Sequence, residues 1–361
     1  MKNKFKAAFV FLAITEGSII SLQAEELVGL YNQSSMVECK NSWDIIFTAD
    51  YIYWTWQQAG MNVGTLINSK RIGAHALLEG KEEVVFQKPG YSSGFQIGLG
   101  FNFHGMDDWR LKADYTWLEN VDHLRTVTGP GKYFAVSPTV IKTLRGLSSG
   151  TLLSGDLFST AKLNFDELDT TLQRIWYQGK SLTARYSMGI KTLWMDEYAE
   201  ANGADLSVIG RSIPFTVPLK GSFQTTSRIQ SWALGPVFGL EASWLLGYGI
   251  RVEGNLRGSL VYTSYTQLQF SVTGQISDLG SVDLLMNQPN DYDTVSPILE
   301  TSLGLGWGSY FCNQNLYLDL FAGYDFNVYW SRGVLDAVRN QGGSPGNICL
   351  QGLNIRAGID F

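Results

Sequence analysis

Bulky apolar residues alternate with small or polar residues over long parts of this sequence. In residues 95–103 every odd position is bulky and apolar, and Gln, Gly and Asn occupy the even positions. Residues 109–117 repeat the pattern, with Arg110, Lys112 and Asp114 on the polar side. Successive side chains of a β-strand point to opposite faces, so this period of two predicts strands with one apolar and one polar face.

The same pattern predicts ten strands in all. They cover residues 43–56, 95–103, 109–117, 162–176, 182–190, 232–244, 248–262, 299–307, 316–330 and 353–361. The fourth strand is the weakest, because its alternation changes phase at Asp166 and Glu167. Its faces are therefore not assigned, and a β-bulge at this point is one explanation of the change.

The connections between these strands alternate between short and long. Short turns are predicted near residues 104–108, 177–180, 245–247 and 311–315, and long loops cover 57–93, 120–161, 196–227, 266–294 and 332–348. An even strand number with short periplasmic turns and long outer loops is typical of bacterial outer-membrane barrels. The sequence therefore predicts an all-β protein, a transmembrane antiparallel β-barrel of about ten strands, with twelve left open.

A soluble β-sandwich would show the same alternation, with its apolar faces turned inward. Aromatic residues at the ends of the apolar faces and glycine-rich opposite faces favour lipid contact instead. Only 17% of the residues are charged, against about 25% in ordinary soluble domains. A net charge of -6 argues against a nucleic-acid partner.

The N-terminus has the composition of an export signal. Three lysines in the first six residues precede a short apolar stretch, and a Leu-Gln-Ala sequence ends at residue 24. We expect three regions: a signal peptide (1–24), a periplasmic N-terminal segment (25–42) and an outer-membrane β-barrel (43–361).

Export into an oxidising compartment makes the cysteines candidates for disulfides. The topology places Cys39 and Cys312 on the periplasmic side and Cys349 on the outer side. A Cys39–Cys312 bridge, or cross-links to neighbouring envelope proteins, is therefore expected ahead of any bridge to Cys349, and three unpaired thiols are the alternative. No Cys and His spacing indicates a metal, and no cofactor is expected.

The C-terminal sequence LQGLNIRAGIDF resembles the assembly signal of outer-membrane barrels, with Phe361 as its terminal aromatic residue. The segments GFQIGLGFNFHGMDDWRLKADYTWL, SLTARYSMGIKTLWMDE and SWALGPVFGLEASWLLGYGIRVEGNLRGSLVYTSYT resemble the Legionella-type pore-forming outer-membrane proteins, whose relatives are numerous in chlamydia-related bacteria. The resemblance implies a pore-forming barrel in the outer membrane, with membrane lipid and the barrel-assembly machinery as partners. It transfers no catalytic residue to this chain.

If the apolar faces contact lipid, the polar faces line the interior. The expected pore-lining residues are Asp50, Arg110, Lys112, Asp114, Arg185, Lys191, Arg251, Glu253, Arg257, Glu300, Asp319, Asp325 and Arg356. The third, fifth, sixth and seventh strands then form a basic wall, and the last three strands with the first form an acidic wall. Such walls would create a transverse field. The alternative is that the charges form paired bridges that fill a plugged lumen.

These features predict passive diffusion of ions and small solutes, through a bore of at most about 8 Å for ten strands. The alternative function is a plugged structural or adhesive barrel that acts through its long outer loops. His75 and His123 lie in outer loops near acidic residues, but solvated loop residues rarely form a catalytic site, so no enzyme is expected. A homo-oligomer is left open.

Overall fold

The computed structural model describes residues 39, 44–58, 61–69, 80–103, 109–127, 132–135, 152–209, 219–276, 280–287, 292–334 and 346–361. The predicted signal peptide, His75, the predicted turn at 104–108 and most of the predicted periplasmic segment lie outside this range. In the residues described, no helix is long and apolar enough to cross a membrane.

Fourteen β-strands and one short 3-10 helix, Cys312–Gln314, make up the described chain. The strands are β1 (Ile45–Gln58), β2 (Asn62–Ser69), β3 (Gly80–Phe86), β4 (Ser92–Phe103), β5 (Trp109–Val127), β6 (Lys132–Ala135), β7 (Leu152–Gln178), β8 (Leu182–Ile209), β9 (Leu219–Gly247), β10 (Ile250–Ile276), β11 (Gly280–Asn287), β12 (Tyr292–Phe311), β13 (Leu316–Gly333) and β14 (Gly346–Asp360).

Ten of these strands close into an antiparallel barrel. Their order is β1, β4, β5, β7, β8, β9, β10, β12, β13 and β14, and β14 pairs with β1 to close the ring. Phe361 extends this seam: its N–H donates to the carbonyl of Ile45 at 3.1 Å, and the N–H of Ile45 donates to its carbonyl at 3.2 Å. The prediction of ten strands is confirmed, and the twelve-strand alternative is wrong for this barrel. The other four strands extend the wall at the outer end, where β6 pairs with β7 and β11 with β10.

The apolar faces of the strands point away from the barrel axis, as predicted. Leu99, Phe238 and Leu303 are 58%, 63% and 65% exposed, whereas the alternate residues are buried or half-buried. At the outer end of this apolar surface Trp194 pairs with Trp232, whose ring lies 6.0 Å from that of Tyr262. An apolar band bounded by aromatic residues matches the lipid-facing surface of an outer-membrane barrel.

The long outer connections are present, but much of their length is strand. β8 has 28 residues and β9 has 29, so most of the predicted loop 196–227 continues the barrel wall. The 13 positions from 182 to 194 cover about 30 Å at a rise of about 3.3 Å and a tilt of about 40°. Beyond them the outer surface becomes polar: Asp196 and Arg228 form an ion pair there at 3.1 Å.

β7 corrects the prediction for the fourth strand. Its pairing with β5 is continuous, and its register against β8 shifts only near residues 154–156 and 175–177, so a bulge does not explain the change of phase at Asp166 and Glu167. Leu163 and Phe165 point inward with exposures of 0% and 1%, whereas Leu168 points outward. The alternation is unbroken. The apolar side changes from outward to inward where the strand leaves the membrane.

One predicted turn is displaced. β9 continues through the predicted turn at 245–247, and a two-residue turn of Tyr248 and Gly249 joins it to β10. Both residues have positive φ, 54° and 77°. This left-handed conformation matches the twist of paired strands and favours glycine at the second position. The predicted turn at 177–180 is observed at residues 179–181, and the 311–315 turn contains the 3-10 helix.

A charge on the lipid-facing surface should prevent stable insertion. Leu99→Arg should cost about 2–4 kcal/mol because the guanidinium would sit near the middle of the bilayer. Gln96→Arg is the matched control, since Gln96 is on the same strand but lines the interior. Heat-modifiable gel mobility measures the folded fraction of both variants. Equal loss in both would contradict the assignment of faces.

Candidate functional site

A cavity of about 970 Å³ occupies the membrane part of the barrel. It extends from the periplasmic turns, where Lys180, Tyr248 and Gln314 line it, to Trp54 and Glu300 deep in the barrel. We refer to this cavity as the vestibule.

Eleven of the thirteen predicted pore-lining residues line the vestibule: Asp50, Arg110, Lys112, Arg185, Arg251, Glu253, Arg257, Glu300, Asp319, Asp325 and Arg356. The other two, Asp114 and Lys191, also point inward but are buried behind the vestibule surface. That these side chains line a path for ions stays a prediction.

An apolar layer lies across the barrel at the end of the vestibule that is farther from the periplasm. We define the septum as this contacting cluster: Ile52, Trp54, Trp56, Met61, Leu118, Ala161, Leu163, Phe165, Leu193, Met195, Ala233, Val261, Ile298, Tyr329, Ile348 and Leu350. Nine of the ten barrel strands contribute to it. Each of its residues is between 0% and 6% exposed, and the rings of Phe165 on β7 and Tyr329 on β13 lie 5.7 Å apart. In the part of the chain that the structure describes, this layer therefore closes the lumen at the level of the outer aromatic residues.

A buried ionic cluster lies directly beneath the septum. The ammonium of Lys191 lies 2.7 Å from a carboxylate oxygen of Glu167, 2.9 Å from one of Asp169 and 2.7 Å from one of Glu300. We refer to these four residues as the Lys191 cluster. The hydroxyl of Tyr329, itself part of the septum, donates to Glu167 at 3.3 Å and to Glu300 at 3.4 Å. Three such carboxylates could hold a metal ion, but the lysine ammonium occupies the position between them.

Arg257 extends this network toward the vestibule. Its guanidinium lies 3.3 Å from Asp169, 3.6 Å from Glu241 and 3.8 Å from Asp114. Asp114 also forms an ion pair with the ammonium of Lys112 at 2.9 Å. One arginine thus connects three strands of the barrel, β5, β7 and β9, to its own strand β10.

A second ionic network lies nearer the periplasmic turns, around Arg251 at the start of β10. Arg356 contacts Glu253 at 2.5 Å and Asp319 at 3.4 Å, and Arg251 forms close ion pairs with the same two carboxylates. Two of these ion pairs, like that of Lys191 with Glu300, join residues of the predicted basic wall to residues of the predicted acidic wall, as the alternative of paired bridges describes, and the transverse field stays a prediction. The charges of different strands are paired, and β7 adds two carboxylates to the wall predicted to be basic.

Two of the predicted acidic residues are buried without an ion pair. Asp50 and Asp325 are 8% and 5% exposed, and within the described part of the chain neither has a cation within 4.0 Å. Asp325 instead accepts a hydrogen bond from the side-chain amide of Asn354 at 2.9 Å.

Sequence reasoning missed Glu167, Asp169 and Tyr329 in the interior. It also missed Arg332, which is 1% exposed and donates to the hydroxyls of Thr263 at 3.0 Å and of Ser231 at 2.8 Å. The apolar pattern gave no direct signal for Glu167 and Asp169, because it changes phase there; only the backbone alternation of a continuous strand could have placed them. That alternation places residues 167 and 169 on the same face as residue 163, whatever their polarity.

The cysteines are free thiols in this structure. The thiol of Cys39 donates to the carbonyl of Asp360 at 3.5 Å, and Cys312 is exposed in the turn between β12 and β13. Cys39 and Cys312 are not bonded to each other in this structure, and the bridge between them stays a prediction. Burial, together with the nearby Asp360 charge, raises the pKa of Cys39 to about 11, so this thiol stays protonated at neutral pH.

His123 does not form the arrangement expected of a catalytic base. Its ring Nδ1 lies 3.1 Å from the hydroxyl of Thr160. The neighbouring Asp122 accepts a hydrogen bond from Gln87 at 3.3 Å instead.

Removal of the Lys191 charge should destabilise the barrel strongly. Lys191→Met leaves Glu167 and Glu300 without their cation and Asp169 with Arg257 alone, and it should cost about 3–5 kcal/mol. The addition of Glu300→Gln should recover part of this loss, because one repelling charge is removed. Chemical unfolding in detergent measures the free energy of unfolding. Lys162→Met is the control: its ion pair with Glu119 is about one-third exposed and should contribute at most about 1 kcal/mol. A cost for Lys191→Met as small as that of the control would contradict a buried, paired lysine.

Comparison with known proteins agrees with the resemblance in the sequence. The family model described as Legionella pneumophila major outer membrane protein precursor matches residues 36–360. Among solved structures, the outer membrane protease OmpT from Escherichia coli is 9% identical, with 91% of this chain and 99% of that chain covered and a TM-score of 0.38. A major outer membrane protein from Thermus thermophilus is 10% identical, with 88% and 99% covered and a TM-score of 0.27. The search of curated proteins found no match. The family match covers most of the chain, and this protein therefore belongs to the Legionella major outer membrane protein family of the bacterial outer membrane.

Proposed function

We propose that this protein is a pore for the passive diffusion of ions and small solutes across the outer membrane, closed at the septum in the conformation described here. The observation that carries the proposal is the vestibule, a cavity of about 970 Å³ inside the membrane part of the barrel that many charged side chains line. Water and hydrated solutes can occupy such a space, whereas a barrel that serves only as an anchor needs no cavity of this kind.

The chemistry of the vestibule supports hydrophilic solutes. Guanidinium, ammonium and carboxylate groups line it, and most of them are paired with one another. Charged rings and constrictions of this type select among solutes in channels, and hydrophobic constrictions gate channels by excluding water. The septum resembles a hydrophobic constriction, since its side chains are almost entirely apolar.

A plugged barrel is the second candidate function, and the closed septum favours it. In that case the protein acts through the outer part of the barrel, where β8 and β9 continue well beyond the aromatic boundary. Separation of the two candidates requires a measurement of conductance.

We further propose that residues 1–24 direct export and that the barrel-assembly machinery reads the C-terminal strand ending at Phe361. The position of Phe361 at the β1–β14 seam supports this role. Catalysis is not part of the proposed function, and assembly into a homo-oligomer is compatible with it.

Thinning of the septum should increase conductance. In the double variant Phe165→Ala and Leu193→Ala, two fully buried side chains lose most of their volume, so the layer that excludes water becomes thinner. We expect brief or small currents from the wild type in a planar bilayer and a several-fold larger mean current from the variant. Leu168→Ala is the control, because Leu168 is on β7 but points outward.

Each large-to-small change costs about 2–5 kcal/mol, so heat-modifiable mobility must first show that the variant folds. If a folded septum variant and the wild type both carry no current, the pore proposal fails and the plugged barrel is favoured.

A further inference from the structure

Two arginines of the vestibule, Arg110 and Arg185, differ from the other three that line it. Arg251, Arg257 and Arg356 each lie within 4.0 Å of at least two carboxylates. Over the described ranges, neither Arg110 nor Arg185 has a carboxylate within that distance, although both face the cavity. They are therefore cations available to a ligand that enters from the periplasmic side.

The fold places these two arginines on either side of one buried amide. Arg110 of β5 is the register partner of Gln173 on β7, and Arg185 of β8 pairs with the neighbouring Ile175 of β7. The backbones of β5 and β8 are therefore about 10 Å apart, two strand spacings. Arginine side chains are long enough to meet over Gln173, which is 1% exposed.

Arg110 is also held in a defined orientation. Its Nε donates to the side-chain carbonyl of Asn102 at 2.7 Å. That bond fixes the plane of the guanidinium and leaves the two terminal nitrogens for a ligand. A guanidinium presents paired donors that match the two oxygens of a carboxylate or phosphate.

Carboxylates lie near the pair, but within the described part of the chain none is within ion-pair distance of it. Glu241 is the register partner of Arg185 on β9, and Asp360 and Glu241 both attract Arg110, whereas Arg185 acts on it as a like charge. Glu241 forms an ion pair with Arg257 at 3.6 Å and accepts a hydrogen bond from the side-chain amide of Gln173 at 3.4 Å. Two arginines that face one partly enclosed cavity repel each other, and an anion between them would remove this repulsion.

We propose that Arg110, Gln173 and Arg185 form a binding site for a small oxyanion, a carboxylate or phosphate group, in the periplasmic half of the barrel. The site rests on the proposed function in one respect: it would lie on the solute path and favour anionic solutes there. Binding itself does not require the septum to open, because the vestibule is reached from the periplasmic end.

Calorimetric titration of the refolded full-length mature protein in detergent tests this site directly. Inorganic phosphate and succinate are the two probes, one for each kind of oxyanion. We expect at least one of them to bind the wild type. Arg110→Gln and Arg185→Gln should each weaken that binding by about tenfold or more, because each removes a charge-assisted hydrogen bond.

Two further variants separate a binding role from a general effect of charge. Arg228→Gln removes an arginine from the outer surface, where it pairs with Asp196, and should bind the anion as the wild type does. Arg110→Lys keeps the charge but loses the paired donors, so its affinity should fall between those of wild type and Arg110→Gln. Heat-modifiable mobility confirms that each variant is folded, and Arg185→Gln serves alone if Arg110→Gln does not fold.

The outcomes are distinct from those of the conductance experiment. Binding of phosphate alone, of succinate alone or of both supports the site and identifies the group it prefers. Absence of binding to the wild type, or equal binding by wild type and both glutamine variants, overturns the site while leaving the pore proposal intact. Binding by a protein that never conducts would keep the site and remove the pore.

Discussion

A strand that crosses a bilayer must pair both of its backbone edges with other strands, because hydrocarbon offers no hydrogen-bond partners. This constraint explains why ten strands close on themselves and why the seam between β1 and β14 is continuous from Ile46 to Gln58. It also explains why Phe361 is tied to Ile45 by two backbone hydrogen bonds. Once the ring is closed, each side chain of a membrane-spanning strand points either to the lipid or to the interior of the barrel.

The membrane boundary determines how much of the fold the sequence could predict. Between the periplasmic turns and Trp194, apolar residues face outward and polar residues inward, so the ten strands and their faces follow from the period of two. Beyond Trp194 the outer surface is in water and the septum fills the interior, so the apolar side changes. When only the apolar positions of the sequence are considered, that change looks like a phase slip in β7 and like a loop between β8 and β9. The backbone alternation itself never stops.

The interior residues were predictable for the same reason, but their pairing was not. Alternation identifies which side chains point inward, and eleven of the thirteen predicted residues do line the vestibule. It carries no information on how far a side chain reaches across a barrel. Arg356 and Glu253 are 103 positions apart in sequence, and they meet only because β14 and β10 face the same narrow space. Opposite charges that face the same narrow lumen from different strands gain free energy when they pair.

The septum and the Lys191 cluster depend on each other. The three carboxylates around Lys191 are compensated by its ammonium, by Arg257 at Asp169 and by the hydroxyl of Tyr329, which belongs to a side chain of the septum. Separation of the apolar side chains would move Tyr329 away and admit more water to the cluster, whose Glu167 and Glu300 already line the vestibule. Water in turn would solvate the charges and weaken the ion pairs that hold β7, β8 and β12 together at this level. Each change lowers the cost of the other, so in the proposed pore the separation of the septum and the hydration of the Lys191 cluster would be coupled.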